Sequence, residues 1–177
     1  MPRAKFASVR GMSTSDATAA AEAHPRFAEA LRELGLDAEV RRFPEATRTA
    51  AEAAAAIGCA LSEIVKSLIF EADGAPVLVL MDGSSRVDVE RVRAELGAGK
   101  VKRAGAELVR ETTGYAIGGV PPFGHRTKTR VLADRGLLDH DVVWAAAGTP
   151  HTVFPLDPKS LIGHAGGSVV DVREQSN

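Results

Sequence analysis

The stretch IVKSLIFEADGAPVLVLMDG, residues 64–83, decides the reading of the fold. Two runs within it, 64–70 and 77–81, are dense in Val, Ile, Leu and Phe and have strand length. Between them lies Asp73-Gly74-Ala75-Pro76, a turn composition, and Asp82-Gly83 closes the second run. A buried β-hairpin is the simplest interpretation.

Working outward toward the N-terminus, Thr49 with Glu52 three residues later forms a capping-box pattern before an alanine-rich helix that Gly58 ends. A strand over 39–43 is expected before it. Earlier still, Phe27, Ala30, Leu31 and Leu34 keep helical phase in a helix read over 17–34, with Gly35 placed to end it. Residues 1–16, rich in Ser, Thr, Arg and Gly, are expected to be disordered, and Met12 offers an alternative start. Toward the C-terminus, 88–96 and 106–112 have helical spacing and are punctuated by Gly97 and Gly114. Strands are expected at 130–133, 142–147 and 152–156. Asp157-Pro158 then starts a helix with its last turn near His164, and 168–172 gives a final strand. Hairpins mixed with helices, instead of strict alternation, predict an α+β fold. The expected unit is one domain over 17–177, a mixed, mostly antiparallel or barrel-like sheet with surrounding helices.

The composition suits that reading. The chain has 177 residues, 45% hydrophobic and 25% charged, enough for one sizeable core. With six Phe, one Tyr and one Trp, core volume must come mainly from aliphatic residues and alanine. The 22 Lys and Arg against 23 Asp and Glu leave a formal charge of −1, so no overall field draws in a polyanion. Nucleic-acid contact would have to be local. Two basic clusters exist, one over 91–110 and one at His125, Arg126, Lys128 and Arg130, and each reads equally as a solvated face. Cys59 is the one cysteine, which excludes an internal disulfide and a cysteine zinc cluster; following a helix-ending glycine, it is read as structural. No segment has signal-peptide or membrane-spanning character, so a soluble cytoplasmic protein is expected.

The usual hydrolase signatures GxSxG and HExxH are absent, as are the phosphate and dinucleotide patterns GxxxxGK[ST] and GxGxxG. Three local constellations remain. In the first, Lys66 interrupts an apolar strand, so either its stem reaches a rim and protects a sheet edge or its ammonium serves a site. The second is 114–124, GYAIGGVPPFG, four glycines and two adjacent prolines. Prolines stiffen such a segment while glycines let main chain approach a ligand, although a rigid surface turn has the same composition. The third is 145–151, AAAGTPH, where small side chains make room and His151 is able to exchange a proton near neutral pH. A histidine after a turn is more often a supporting or surface residue, and His24, His125, His140 and His164 carry no stronger signal.

In this order, VKSLIF with Lys66, the GxxxP loop realised as Gly118-Gly119-Val120-Pro121-Pro122, and AAGTPH resemble the YbaK/prolyl-tRNA synthetase-associated editing family, over about 47–172. The resemblance implies hydrolysis of the ester joining a wrong amino acid to the terminal adenosine of tRNA, with a small amino acid, alanine on tRNA for proline, as the default. It implies that Lys66 is needed for deacylation and that Gly118 and Gly119 hold the aminoacyl carbonyl through main-chain N–H groups. Val120, Pro121, Pro122, Phe123, Ala147, Gly148, Thr149 and His151 would form the substrate pocket, and Lys128 and Arg130 would grip the acceptor stem.

An aminoacyl ester is already activated, so a positioned water, a polarised carbonyl and the substrate's own hydroxyl suffice without a protein nucleophile, metal or cofactor. A pocket of small residues would act as a second sieve, since one methylene discriminates by only about 1–3 kcal/mol. The expected partners are aminoacyl-tRNA and an aminoacyl-tRNA synthetase; nothing obliges the chain to be more than a monomer. Two other readings stay open: a non-catalytic small-ligand or nucleotide-binding module of the same fold, and an interaction protein docking through Val120, Pro122 and Phe123.

Overall fold

Asp73 and Gly74 hold φ of 50° and 87°, the left-handed pair that a two-residue type I′ hairpin turn requires. In the computed structural model, which describes residues 23–43, 46–47 and 49–175, this turn joins β2 (Val65–Ala72) to β3 (Ala75–Asp82). The two strands pair antiparallel from Val65 opposite Asp82 to Ala72 opposite Ala75. β5 (Arg130–Asp134) runs parallel beside β3, and β8 (Ser168–Val170) parallel beside β5. On the other edge, β4 (Val101–Arg103) pairs antiparallel with β2, over Phe70 to Ala72 only. The resulting sheet has the order β4-β2-β3-β5-β8.

A second, antiparallel sheet has the order β1-β7-β6, from β1 (Arg41–Arg42), β7 (Thr152–Leu156) and β6 (Val143–Ala146). Both sheets and the helices form the α+β arrangement that the order of elements predicts. Of the two sheet forms expected, the mixed open sheet is the one observed; no barrel closes among the described residues.

β3 is central, and its residues 77–82 are buried on both faces, the environment that selects a near-continuous apolar run. Leu78 and Leu80 face the larger core with Val65 and Ile69 of β2, Ala145 of β6 and Phe154 of β7. Helix α1 (Pro25–Leu34) closes that core with Phe27 and Leu31. On the opposite face, Phe70, Val79, Met81 and Leu132 pack under Val92 of α3 (Val89–Leu96). α2 (Ala50–Ile57) sits over Ile64 and Val153 through Ala53 and Ala54, bridging the two sheets. α4 (Ala106–Thr113) and α5 (Pro158–Ala165) complete the layer on the larger core through Val109, Leu161 and Ile162.

The caps follow the sequence rules. Thr49 and Glu52 form the capping box at α2, and Asp157 accepts a hydrogen bond from the Ser160 N–H at 3.0 Å to start α5. α1 begins at Pro25, with the His24 Nδ1 accepting from the Arg26 N–H at 3.1 Å. The expected helical residues 17–22, the expected disordered segment 1–16 and Met12 lie outside the described residues. The strand expected over 39–43 contracts to β1, and those over 142–147 and 168–172 to β6 and β8. β4 was not expected: Val-Lys-Arg has no apolar alternation, and its extended form depends on β2 and on Asp73. The Asp73 carboxylate accepts hydrogen bonds from the Gly99 and Lys100 N–H groups at 2.9 Å each, fastening the approach of β4 to the hairpin turn. No helix among the described residues is long and apolar enough to cross a membrane.

Candidate functional site

Because β4 ends opposite Phe70, the first half of β2 keeps an open edge. A cleft of about 250 Å³ lies there, between β2, the start of α2, the loop carrying Ile117, Gly118 and Val120, and the β6–β7 hairpin. Its deeper walls are apolar, with Val65, Ile69, Ala104, Val109, Val120 and Ala145. Thr47, Thr49, Thr149 and Thr152 supply hydroxyls, most already committed: Thr47 to the Pro150 carbonyl, Thr149 and Thr152 to one another at 2.8 Å. The Ser67 Oγ, on the β2 wall, is buried and has no hydrogen-bond partner among the described residues.

Among the described residues, Lys66 and Arg103 are the cationic side chains of the lining. Lys66 stands opposite Met81 in the hairpin, and its ammonium donates to the Ser85 carbonyl. Burial pushes the Lys66 pKa below the ordinary lysine value; Asp82 opposes that shift, and Arg103 and Arg86 add to it. An ammonium has three donors, so the Ser85 bond leaves others for a ligand. The open strand edge on which Lys66 stands is also the cleft wall. Arg103 lies over the Phe70 ring at 5.5 Å, and Arg41 over the Trp144 ring, another lining residue, at 4.7 Å.

The Gly/Pro loop is fixed from behind. The buried Tyr115 hydroxyl donates to the Gly124 carbonyl at 2.8 Å, and the His125 Nε2–H donates to the Pro121 carbonyl at 2.6 Å. Gly119 donates its N–H to the Ala116 carbonyl at 3.0 Å. Of the two amides expected to hold a carbonyl, that of Gly119 is therefore committed within the loop, whereas the N–H groups of Gly118 and of Val120 have no partner among the described residues. A Cβ on Gly119 would stand 2.9 Å from both the Gly148 oxygen and the Thr149 Cα. This contact of main chain on main chain is what joins the second constellation to the third.

Of the residues singled out from sequence, Lys66, Gly118, Val120 and Thr149 line the cleft. Gly119 and Gly148 form the close packing beneath it; a Cβ on Gly148 would stand 2.3 Å from the His24 Cβ. Ala147 is fully buried, and Pro121 and Pro122 are buried outside the lining. Phe123 belongs to the core, with its ring centroid 5.4 Å from Phe27 and 5.9 Å from Phe154. His151 donates its main-chain N–H to the Thr149 Oγ1 at 3.1 Å and does not line the cleft. Lys128 and Arg130 are exposed, and Arg130 pairs with Val77 while Lys66 pairs with Met81. Four residues of strand rise put Arg130 roughly 13 Å along the sheet from Lys66, and two strands away.

Sequence reasoning passed over Ser67, Trp144, Ile117 and, as a site residue, Arg103. Arg103 lies in a basic cluster noted for its charge, and Ser67 follows Lys66, but their convergence depends on how the two sheets meet. Among the described residues no three His, Cys, Asp or Glu side chains come together as a ligand set.

A family model of the aminoacyl-tRNA editing domain matches residues 44–163. YwhH of Bacillus subtilis (strain 168), itself uncharacterized, is 35% identical over 124 residues, 70% of this chain and 78% of that protein. The proline–tRNA ligase of Syntrophus aciditrophicus (strain SB) is 37% identical over 92 residues, which are 52% of this chain but 16% of the ligase. The crystal structure of a proposed trans-editing enzyme for prolyl tRNA synthetase superposes with a TM-score of 0.80 at 41% identity, covering 85% of this chain and 96% of that one.

Proposed function

Since the chain belongs to the aminoacyl-tRNA editing domain family, we propose that it is a deacylase that cleaves the ester of a small amino acid wrongly attached to tRNA. The observation that carries this reading is the cleft itself: about 250 Å³, apolar at depth, with the Lys66 ammonium on one wall and unpartnered Gly118 and Val120 N–H groups on another. Its volume lies just below the usual range for ligand pockets, the scale of an aminoacyl group.

In the proposed reaction a water oxygen attacks the ester carbonyl carbon, and the carbonyl electron pair moves onto oxygen. The Gly118 and Val120 N–H groups stabilise that oxyanion, a role in which one donor is commonly worth a hundredfold or more in rate, about 3 kcal/mol. Collapse breaks the bond to the ribose oxygen, which takes up a proton, and the free amino acid leaves as its carboxylate. The Lys66 ammonium meets the negative charge of the terminal nucleotide or of the ester oxygen. The substrate's neighbouring ribose hydroxyl is available to position the water. Ala145 and Ala146 line the cleft and set the size limit. Alanyl-tRNA for proline is the starting expectation that the family resemblance supplies, and the panel of esters tests it.

The test is deacylation of tRNAs charged with alanine, serine, threonine, cysteine and proline, by the native protein and by Lys66→Ala. The expected result is release faster than spontaneous hydrolysis for at least one small amino acid, reduced about a hundredfold or more in Lys66→Ala. No acceleration with any ester overturns the reading; full activity in Lys66→Ala removes Lys66 from the mechanism and leaves the reaction standing.

A further inference from the structure

Ser67 presents a polar atom that folding leaves unused. Its Oγ is buried without a hydrogen-bond partner among the described residues, whereas hydroxyls at such depth are normally satisfied. Side chains alternate along a strand, so Ser67 shares a face of β2 with Val65 and Ile69. Those two belong to the core that also holds Ala104, Val109, Val120 and Ala145, and all six line the cleft. Ser67, the residue after Lys66, therefore lies on the apolar side of the cleft lining, with its Oγ covered, while the Lys66 side chain leaves β2 on the other face.

We infer that Ser67 is a specificity-determining residue that hydrogen-bonds the side-chain hydroxyl of a seryl group, making seryl-tRNA a better substrate than alanyl-tRNA. The inference rests on the deacylase reading and deepens it. A seryl hydroxyl both donates and accepts, so it satisfies the Ser67 Oγ and is satisfied by it. An alanyl methyl leaves the Oγ unpaired, and sites built to meet a substrate hydroxyl discriminate against analogues that lack it. The other group able to reach Ser67 is the substrate's α-ammonium. Among the described residues it is disfavoured, because the charged ones in the lining are Lys66 and Arg103, both cations, and none contributes a carboxylate side chain. The main chain of Ser67 contributes to the same wall. The Ile69 carbonyl accepts from the Ala104 N–H at 3.1 Å on the β4 side of the strand, so two residues earlier the Ser67 amide and carbonyl face that side, where β4 no longer covers it.

The experiment compares one tRNA, that for proline, charged with serine or with alanine, in the native protein and in Ser67→Ala. Binding of the non-hydrolysable 3′-seryl-amino and 3′-alanyl-amino analogues of adenosine is titrated in parallel. The expected result is a serine-to-alanine ratio of kcat/KM of about ten or more in the native protein, falling about tenfold in Ser67→Ala, with the binding ratio moving the same way. A native ratio at or below one overturns the proposal while leaving the deacylase reading intact. An equal loss for both esters in Ser67→Ala also overturns it, since that is what contact with the common α-amino group or a purely structural role gives. If neither ester is cleaved, the proposed preference fails, while the panel of five charged tRNAs decides the deacylase reading separately.

Discussion

Lys66 holds a charge where burial opposes it. Its pKa lies below the ordinary lysine value chiefly because of desolvation, against a usual value of about 10.4. If its ammonium serves the reaction, the catalysed part of the rate falls as pH rises through that lowered pKa. Lys66→Arg then moves the alkaline loss to higher pH, because a guanidinium stays protonated. The check is kcat/KM against pH for both proteins, with the spontaneous ester hydrolysis subtracted; coincident profiles separate Lys66 from the alkaline limb. Ser67 supplies a second prediction at this scale. Replacing a buried unpaired hydroxyl by a methyl removes a desolvation penalty of about 1–3 kcal/mol, so Ser67→Ala is expected to raise the urea midpoint. A lower midpoint would show that the hydroxyl is satisfied in solution.

At the scale of elements, the turn between β6 and β7 and the Gly/Pro loop act as one piece, because main chain meets main chain at Gly119. Gly119→Ala forces that contact apart and is expected to cost about 1–3 kcal/mol, the usual cost of overpacking, with activity lost alongside. Gly118→Ala meets no atom within 4 Å, and its penalty is confined to the positive φ of 96°, about 1–2 kcal/mol. Urea denaturation of the two variants measures the stability costs; retained activity in Gly119→Ala would show that the lip does not need the turn beneath it. The hairpin, the capping box and the Asp157-Pro158 helix start were legible because each is decided within a few residues by turn or cap chemistry. β4 was not, because a three-residue charged strand exists only where a partner edge and the Asp73 carboxylate hold it. For the same reason Lys66 and the Gly118 loop could be singled out as chemistry, whereas Ser67, Arg103 and Trp144 could not: their meeting is a property of sheet pairing. Phe123 shows the converse, a residue of the loop motif whose ring is used by the core.

The whole molecule carries two histidines that the fold prefers neutral. His24 and His125 both have lowered pKa values, mainly through burial; the Arg26 charge adds to this at His24, and the Pro121 carbonyl opposes it at His125. In the unfolded chain these rings protonate near pH 6.5. Below that pH the unfolded state binds more protons, so stability is complete above about 6.5 and declines as pH falls through the lowered folded values. A falling urea midpoint between about pH 6.5 and 5 is expected, with a flatter profile in the double variant His24→Asn, His125→Gln, where asparagine keeps the N-cap. An unchanged profile in that variant would assign the acid loss to other groups.

Charge on this scale also limits how the proposed tRNA substrate would be held. With a formal charge of −1, any affinity for an acceptor end would have to come from cations around the cleft, and among the described residues Arg41, Lys66 and Arg103 are there. Each phosphate met on a single strand contributes a slope of about −0.7 to log K against log salt concentration, so three contacts give a slope of about −2. That corresponds to a roughly twentyfold loss between 50 and 200 mM salt, shallow for a nucleic-acid binder. Arg103→Ala is expected to reduce the slope by about 0.7, whereas Lys128→Ala and Arg130→Ala, at the distal end of the sheet, leave it unchanged if the RNA stays at the cleft mouth. Titrating a fluorescent acceptor-stem minihelix across that salt range decides between the two clusters: a slope reduced by the Lys128 and Arg130 variants but not by Arg103→Ala would place the acceptor stem along β5 and leave only its terminal nucleotides to enter the cleft.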